Sequence, residues 1–307
     1  MRHLTTLMDV SQDDVLAVFE IAANLKAKLR NGDRPALLQH CVLTQIFEKP
    51  SLRTRLSFEA AIVQLGGQCS FFAAKDAGLH GRESLHDVAR VASSLSDAVV
   101  LRTYSQAMID DFAKYSSCPV INGLSDDHHP CQALTDLFTM QEVFGSLSDQ
   151  HLVFVGDGNN VASSLAVLTA MLGLPMTLAC PLGYELPAEL IADLRAKYPQ
   201  TKFRQTSDLR TAVKSADVIY TDVWTSMGQE EEADERTRDF SGFQVNADLL
   251  SLAPARCRFM HDLPARRGLE VTDEVMDGKH SIVFQQAENR MHLAKGLLVW
   301  LLGAVVG

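Results

Sequence analysis

The chain has 307 residues, 47% of them apolar and 21% charged, with a formal net charge of −10. That length holds one large or two moderate globular domains, and two are expected. The acidic balance argues against nucleic acid as a partner, and no apolar stretch reaches the ~18 residues that cross a bilayer.

Met1 to Val10 lacks the basic and apolar regions of a secretory signal, so a cytoplasmic location is expected. Cys41, Cys69, Cys118, Cys131, Cys180 and Cys257 are scattered without metal-ligand spacing. They read as reduced core thiols, with no disulfide and no structural zinc.

Val15 to Leu29 is predicted as an amphipathic helix, opened by a capping-box pattern at Ser11-Gln12-Asp13-Asp14. Val42 to Phe47 reads as a buried strand. It runs through Glu48-Lys49-Pro50-Ser51-Leu52-Arg53-Thr54-Arg55 into a helix whose apolar residues are Leu56, Ala60, Val63 and Leu65, ending at Gly66-Gly67. A helix starting near Ser51 carries unpaired N–H groups and the positive end of its dipole there, which favours an oxyanion. Ser51 and Thr54 add hydroxyls, and Arg53 and Arg55 add forked cationic donors. A capped helix with solvated arginines is the alternative. Two cations in the first turn are disfavoured unless an anion visits, so phosphate is the expected ligand.

Gln68 to Phe72 is a short segment before a polar turn, Lys75 to Arg82, with Gly78 and Gly81. A helix over Glu83 to Leu95 follows, then strands at Ala98–Leu101, ending at Arg102, and at Pro119–Asn122. Alternating strands and helices predict a parallel sheet covered on both faces, with ligands beyond the carboxyl ends of its strands. Ser51, Arg53 and Arg102 fall at such ends; Arg102 also reads as a surface charge. Beyond the polar turn Gly123 to His129, a helix opens at Pro130 and runs to Phe144. Adjacent His128 and His129 do not converge on one metal ion. His129 can polarise a carbonyl oxygen and Gln132 can accept from an amide, whereas His128 is read as a surface residue.

A domain boundary is placed within that helix. Leu152 to Val155 is the next strand, and Gly156-Asp157-Gly158-Asn159-Asn160 leads into a helix near Val161. This Gly-x-Gly lacks the third glycine and the acidic residue of a dinucleotide site, so nicotinamide binding is disfavoured. Strands follow at Met176–Cys180, Lys202–Gln205, Asp217–Thr221 and Arg258–His261. Thr221 to Glu232 reads as a glycine-hinged acidic loop, either a mobile lid or a solvated connection. After Gln285 to Arg290, Met291 to Leu302 is predicted as a buried helix.

Phe47 to Glu59, with Ser51-Leu52-Arg53-Thr54-Arg55 at its centre, closely resembles the carbamoyl-phosphate loop of the aspartate and ornithine carbamoyltransferase family. Four more segments resemble family motifs, in the family's order: His129-Pro130-Cys131-Gln132, Gly156 to Asn160, Asp222-x-x-x-Ser226-Met227-Gly228, and His261-Asp262-Leu263-Pro264. The likeness runs from about residue 2 to 304. It implies an α/β architecture of two doubly wound, Rossmann-like parallel sheets joined by interdomain helices, the C-terminal helix returning to the first domain. The carbamoyl-phosphate domain would be 1–137 plus 285–307, and the ornithine domain 138–284.

The same resemblance implies carbamoyl-phosphate contacts from Ser51, Leu52, Arg53, Thr54, Arg102, His129, Gln132, Asp262, Leu263 and Arg290. Ornithine would be held by Asn160, Asp222, Ser226 and Met227. The Ser-Met-Gly signature favours the ornithine branch over the aspartate branch. Asp222 can pair with an α-ammonium, which an acylated amine would not present. One residue departs from the pattern: Asp262 stands where ornithine enzymes carry Cys. A carboxylate beside the reacting amine raises that amine's pKa and opposes attack, unless Asp262 itself removes a proton.

The expected reaction begins with carbamoyl phosphate, followed by attack of ornithine's neutral δ-amine. Arg102, His129 and Thr54 would stabilise the oxyanion, at ~3 kcal/mol per donor, and Asp262 is the remaining catalytic candidate. No cofactor or metal is expected. Family relatives are trimers, so a homotrimer or an assembly of trimers is expected, with His80 on the Asp76–Glu83 loop reaching a neighbour's ligand. Three alternatives stand beside this reading: a carbamoyltransferase for another amine, a non-catalytic ligand-binding paralogue, and a nucleotide-dependent enzyme.

Overall fold

The computed structural model describes residues 1–304 except His80, Arg82 and Met227. Two residues expected at the site, Met227 and His80, therefore lie outside the described residues. The chain divides into two compact units, Met1–Phe138 with Glu288–Gly307, and Thr139–Ala287.

In the first unit, α1 (Gln12–Arg30) starts at Ser11. The Ser11 hydroxyl accepts from the Asp14 N–H and the Asp14 carboxylate accepts from the Ser11 N–H, each at 3.1 Å, a reciprocal cap. There follow β1 (Val42–Phe47), α2 (Leu52–Gln64), β2 (Gln68–Ala73), α3 (Leu85–Ser94), β3 (Ala98–Arg102), α4 (Gln106–Tyr115), β4 (Val120–Leu124) and α5 (Pro130–Phe144). The strands pair in parallel in the order β2-β1-β3-β4. From β1 the chain goes first to one side and then to the other, so the switch point lies between β1 and β3. Ligands gather beyond the carboxyl ends at such a point. Ile46, Val99, Leu101 and Val120 of the sheet pack against Val88 and Ala89 of α3 and against Ile109 and Phe112 of α4.

The second unit continues from α5 through β5 (Leu152–Val155), α6 (Asn160–Met171), β6 (Pro175–Ala179), α7 (Ala188–Lys197), β7 (Lys202–Thr206), α8 (Leu209–Ala212), β8 (Val218–Thr221), α9 (Ala233–Asp239), α10 (Ala247–Leu250), β9 (Arg258–His261) and α11 (Asp273–Met276), to the start of α12 (Val283–Leu302). Its parallel order is β7-β6-β5-β8-β9, with the switch point between β5 and β8. Val153, Val155, Ile219 and Phe259 form one core with Leu249, Val271, Val275 and Val283.

Three expectations are corrected. The last helix begins at Val283 rather than Met291, so Arg290 lies on the helix and not before it. Its Gln286, Asn289 and Arg290 are buried, and a polar face buried in hydrogen bonds breaks the apolar periodicity that marks a helix. The acidic run at Glu230–Glu232 forms a short 3-10 turn leading into α9; carboxylates suit the positive end of a helix. His128 is half-buried rather than a surface residue, and burial lowers its pKa. Among the described residues, no helix is long and apolar enough to cross a membrane.

Candidate active site

In the first unit, β1 ends at Phe47 and α2 begins after Ser51, whose hydroxyl accepts from the Thr54 N–H at 3.2 Å. Ser51 and Arg53 are half-buried and Leu52 is exposed, so the open first turn lies at the switch point. Thr54 is buried beside it. Its hydroxyl oxygen accepts from Arg102 at 3.4 Å and from Arg290 at 2.9 Å. A Cβ at Gly123 would come within 3.0 Å of Val100 and 3.5 Å of the Thr54 methyl, so a glycine lets this turn approach β4 closely. Arg290 also donates to the Gln132 carbonyl oxygen, and Gln132 donates to Asp136 at 2.7 Å. His129 is buried. Burial, and then the charges of Arg290 and Arg102, hold its pKa well below the ordinary histidine value, so it serves as a neutral imidazole.

Thr54, Arg102, His129, Gln132 and Arg290 therefore meet in one place. Two guanidiniums converging on one hydroxyl repel each other, and an anion bound between them relieves that repulsion. A dry, positive, hydrogen-bonding cradle of this kind can hold a phosphate and stabilise a developing oxyanion.

In the second unit, the turn after β5 carries Asn159, which caps α6 by accepting from the Val161 and Ala162 N–H groups at 3.0 Å each. Its amide donates to Asp222 at 2.8 Å, and Asn160 is the first residue of α6. Asp222, immediately after β8, is buried. Burial and the neighbouring Asp262 raise its pKa well above the usual carboxylate range. Asp222, His261 and Asp262 each offer an atom within 4.8 Å of the others. The His261 Nδ1 lies 2.9 Å from the Leu263 nitrogen and 3.4 Å from Asp262, and its Nε2 faces Glu270 at 3.2 Å; against the cost of burial, its hydrogen bonds to Asp262 and Glu270 raise its pKa to about 9. Two facing carboxylates favour a cation between them; an ammonium group fits, and the trio also has the spacing to hold a metal ion. Ser226 is half-buried, with its N–H donated to Gln229 at 3.0 Å. Asp262 and Leu263 belong with this second set, in the turn after β9.

Residues 2–142 match the sequence model of the aspartate/ornithine carbamoyltransferase carbamoyl-P binding domain, and residues 148–301 match that of the Asp/Orn binding domain. The chain belongs to the aspartate/ornithine carbamoyltransferase family. It is 45% identical over 303 residues to the ornithine carbamoyltransferase of Caldicellulosiruptor saccharolyticus, covering 98% of each chain. With that of Pyrococcus abyssi it shares 46% over 306 residues, covering 99% of this chain and 96% of the relative. The solved ornithine carbamoyltransferase of Pyrococcus furiosus superposes with a TM-score of 0.94 at 44% identity, covering 99% of this chain and 98% of that one.

Several residues in or next to these two sets carry little signal in the sequence. Asn159 was visible only as the first of two asparagines, and its position one residue before α6 was the available cap signal. Lys49 is buried, paired with Asp126 and set 4.4 Å from the Tyr104 ring; a lysine in a turn gives no sign of that. Glu270 is fully buried against His261 and carries no sequence signal at all.

Proposed function

We propose that this chain transfers the carbamoyl group of carbamoyl phosphate to the δ-amine of L-ornithine, giving L-citrulline and phosphate, a step of arginine biosynthesis. The observation that carries the reading is the convergence of Arg102 and Arg290 on the Thr54 hydroxyl, beside neutral His129 and the open first turn of α2.

Phosphate oxygens are held by Ser51, Leu52 N–H, Arg53, Thr54 and Arg102. The carbonyl oxygen takes hydrogen bonds from Thr54, Arg102 and His129, while Gln132, Arg290 and the Asp262-Leu263 backbone orient the carbamoyl group. Asn160, Asp222, Ser226 and Met227 hold the amino acid, with Asp222 facing its α-ammonium. The neutral δ-amine attacks the carbonyl carbon, the oxyanion collapses, and phosphate leaves with the bonding pair. Asp262 receives the proton that the amine sheds.

The chain works as a cytoplasmic homotrimer, or an assembly of trimers. Leu52, Leu56 and Val63 are exposed and lie along one face of α2, and a second copy of the chain would cover them. A second reading, transfer to a different amine, is favoured by Asp262 in the cysteine position.

Ureido-product formation from carbamoyl phosphate, with ornithine, lysine, putrescine, N-acetylornithine and aspartate offered separately, tests the reaction. Turnover confined to ornithine is the expected result. Turnover with another amine alone, or with none, would overturn it.

A further inference from the structure

The acceptor reading rests on two segments of the second unit, the Gly156–Asn160 turn after β5 and the Asp222–Glu232 segment after β8. Asn159 ties them at one point, through Asp222. A second tie lies farther along, at a residue outside every motif recognised in the sequence. The Arg236 guanidinium on α9 donates to Asp157 at 2.7 Å and to the Trp224 carbonyl oxygen at 3.1 Å, and its Nε donates to Glu232 at 2.8 Å.

The Glu232 contact alone would be an ordinary helical i,i+4 pair of little consequence. The other two contacts are of a different kind. The Arg236 and Asp157 side chains are only 9% and 13% exposed, and they stand 79 positions apart in sequence. Arg236 also lies over the Tyr184 ring at 5.3 Å, and Phe240 packs on both Tyr184 and Trp224. One planar fork thus joins the turn after β5, the main chain just past β8 and the start of α9. A lysine could not span all three contacts.

We propose that Arg236 is a positioning residue for the amino-acid acceptor. Resting on the function proposed above, it holds the Trp224–Glu232 segment, with Ser226 in its middle, against the turn that carries Asn159 and Asn160. Without it, Asp222 remains tied through Asn159, while the stretch bearing Ser226 loses its anchor. The loss should therefore fall on acceptor affinity and leave the donor set in the first unit as it is.

The test compares wild type, Arg236→Gln, Arg236→Lys, Asp157→Asn and the Arg236→Gln/Asp157→Asn double variant, with ornithine and carbamoyl phosphate varied in turn. A displacement on the 1 Å scale predicts a KM for ornithine raised about tenfold or more in Arg236→Gln, with the KM for carbamoyl phosphate within about twofold of wild type. Arg236→Lys should recover part of the loss, and the double variant should be no worse than the poorer single one. An unchanged ornithine KM in Arg236→Gln, or a parallel loss of both KM values together with the melting midpoint, would overturn the proposal. Should Arg236→Gln fail to fold, the isosteric Asp157→Asn carries the same KM comparison. A wild type that does not carbamoylate ornithine would sink the proposed function and this inference together; an active wild type with an indifferent Arg236 would sink the inference alone.

Discussion

Arg290 donates to the Thr54 hydroxyl at 2.9 Å across 236 positions of sequence. The contact places a guanidinium from the last helix on the first turn of the second. Arg102→Ala should lower kcat about a hundredfold, the usual cost of removing one oxyanion donor, and Arg290→Ala should lower it too, through Thr54 and Gln132, the two groups it holds. Steady-state kinetics at saturating ornithine would show this, and a loss below tenfold in Arg102→Ala would remove that side chain from the oxyanion site.

Arg53→Ala should likewise lose most activity, through phosphate binding. Its expected signature is a raised KM for carbamoyl phosphate and weaker competition by inorganic phosphate. Near wild-type turnover would take the α2 loop out of the account.

Asp222→Asn keeps the side chain's shape and removes the charge that faces the α-ammonium. The KM for ornithine should rise about a hundredfold, since a buried charge-assisted pair is lost. Isothermal titration with ornithine in the presence of a donor analogue would measure the same loss, and an unchanged affinity would contradict the acceptor assignment.

Asp262 offers a test by pH. With a carboxylate at this place the amine of bound ornithine holds its proton more tightly, so the acid limb of kcat is displaced upward. Asp262→Asn should move that limb about one pH unit lower. Since Asp262 is also the proposed proton acceptor, kcat should fall at every pH as well.

Stability should decline in mild acid. His292 is buried in the first unit, and burial brings its pKa to about 4, below the 6.5 of an ordinary histidine; His129 is lowered too, by burial and the two arginines. Between these values the unfolded chain takes up protons that the folded one refuses. The stabilisation is complete above pH 6.5 and is lost as pH falls toward 4, with His292 contributing on the order of 2 kcal/mol by pH 5. Melting midpoints from pH 6.5 to 5 should fall, and His292→Gln should flatten the slope.

Most of the strands can be read from the sequence because each is a short apolar run closed by a turn: Val42 to Phe47, Ala98 to Arg102 and Leu152 to Val155 need no tertiary information. The helices Gln106–Tyr115 and Ala188–Lys197 are hard to read from the sequence, their apolar faces short and broken by charge. The sites divide in the same way. Ser51 and Arg102 stand out as polar residues at the ends of buried strands, and Asp222 through the likeness of its segment to a family motif. Arg236, Asn159 and Glu270 do not, since each matters through a partner distant in sequence. The start of α12 was hidden for the opposite reason: its polar residues are buried.

The path of α12 also bears on how the molecule is made. The second unit is one unbroken stretch, Thr139–Ala287, whereas the first is assembled from both ends of the chain. On the ribosome Thr54, Arg102 and Gln132 emerge early and must wait for Arg290, which is translated only after the whole second unit. The intervening segment can collapse around its own sheet meanwhile, while Thr54 and Gln132 stay without the guanidinium that joins them. Nascent chains should gain the ability to retain phosphate only in the final stretch of synthesis.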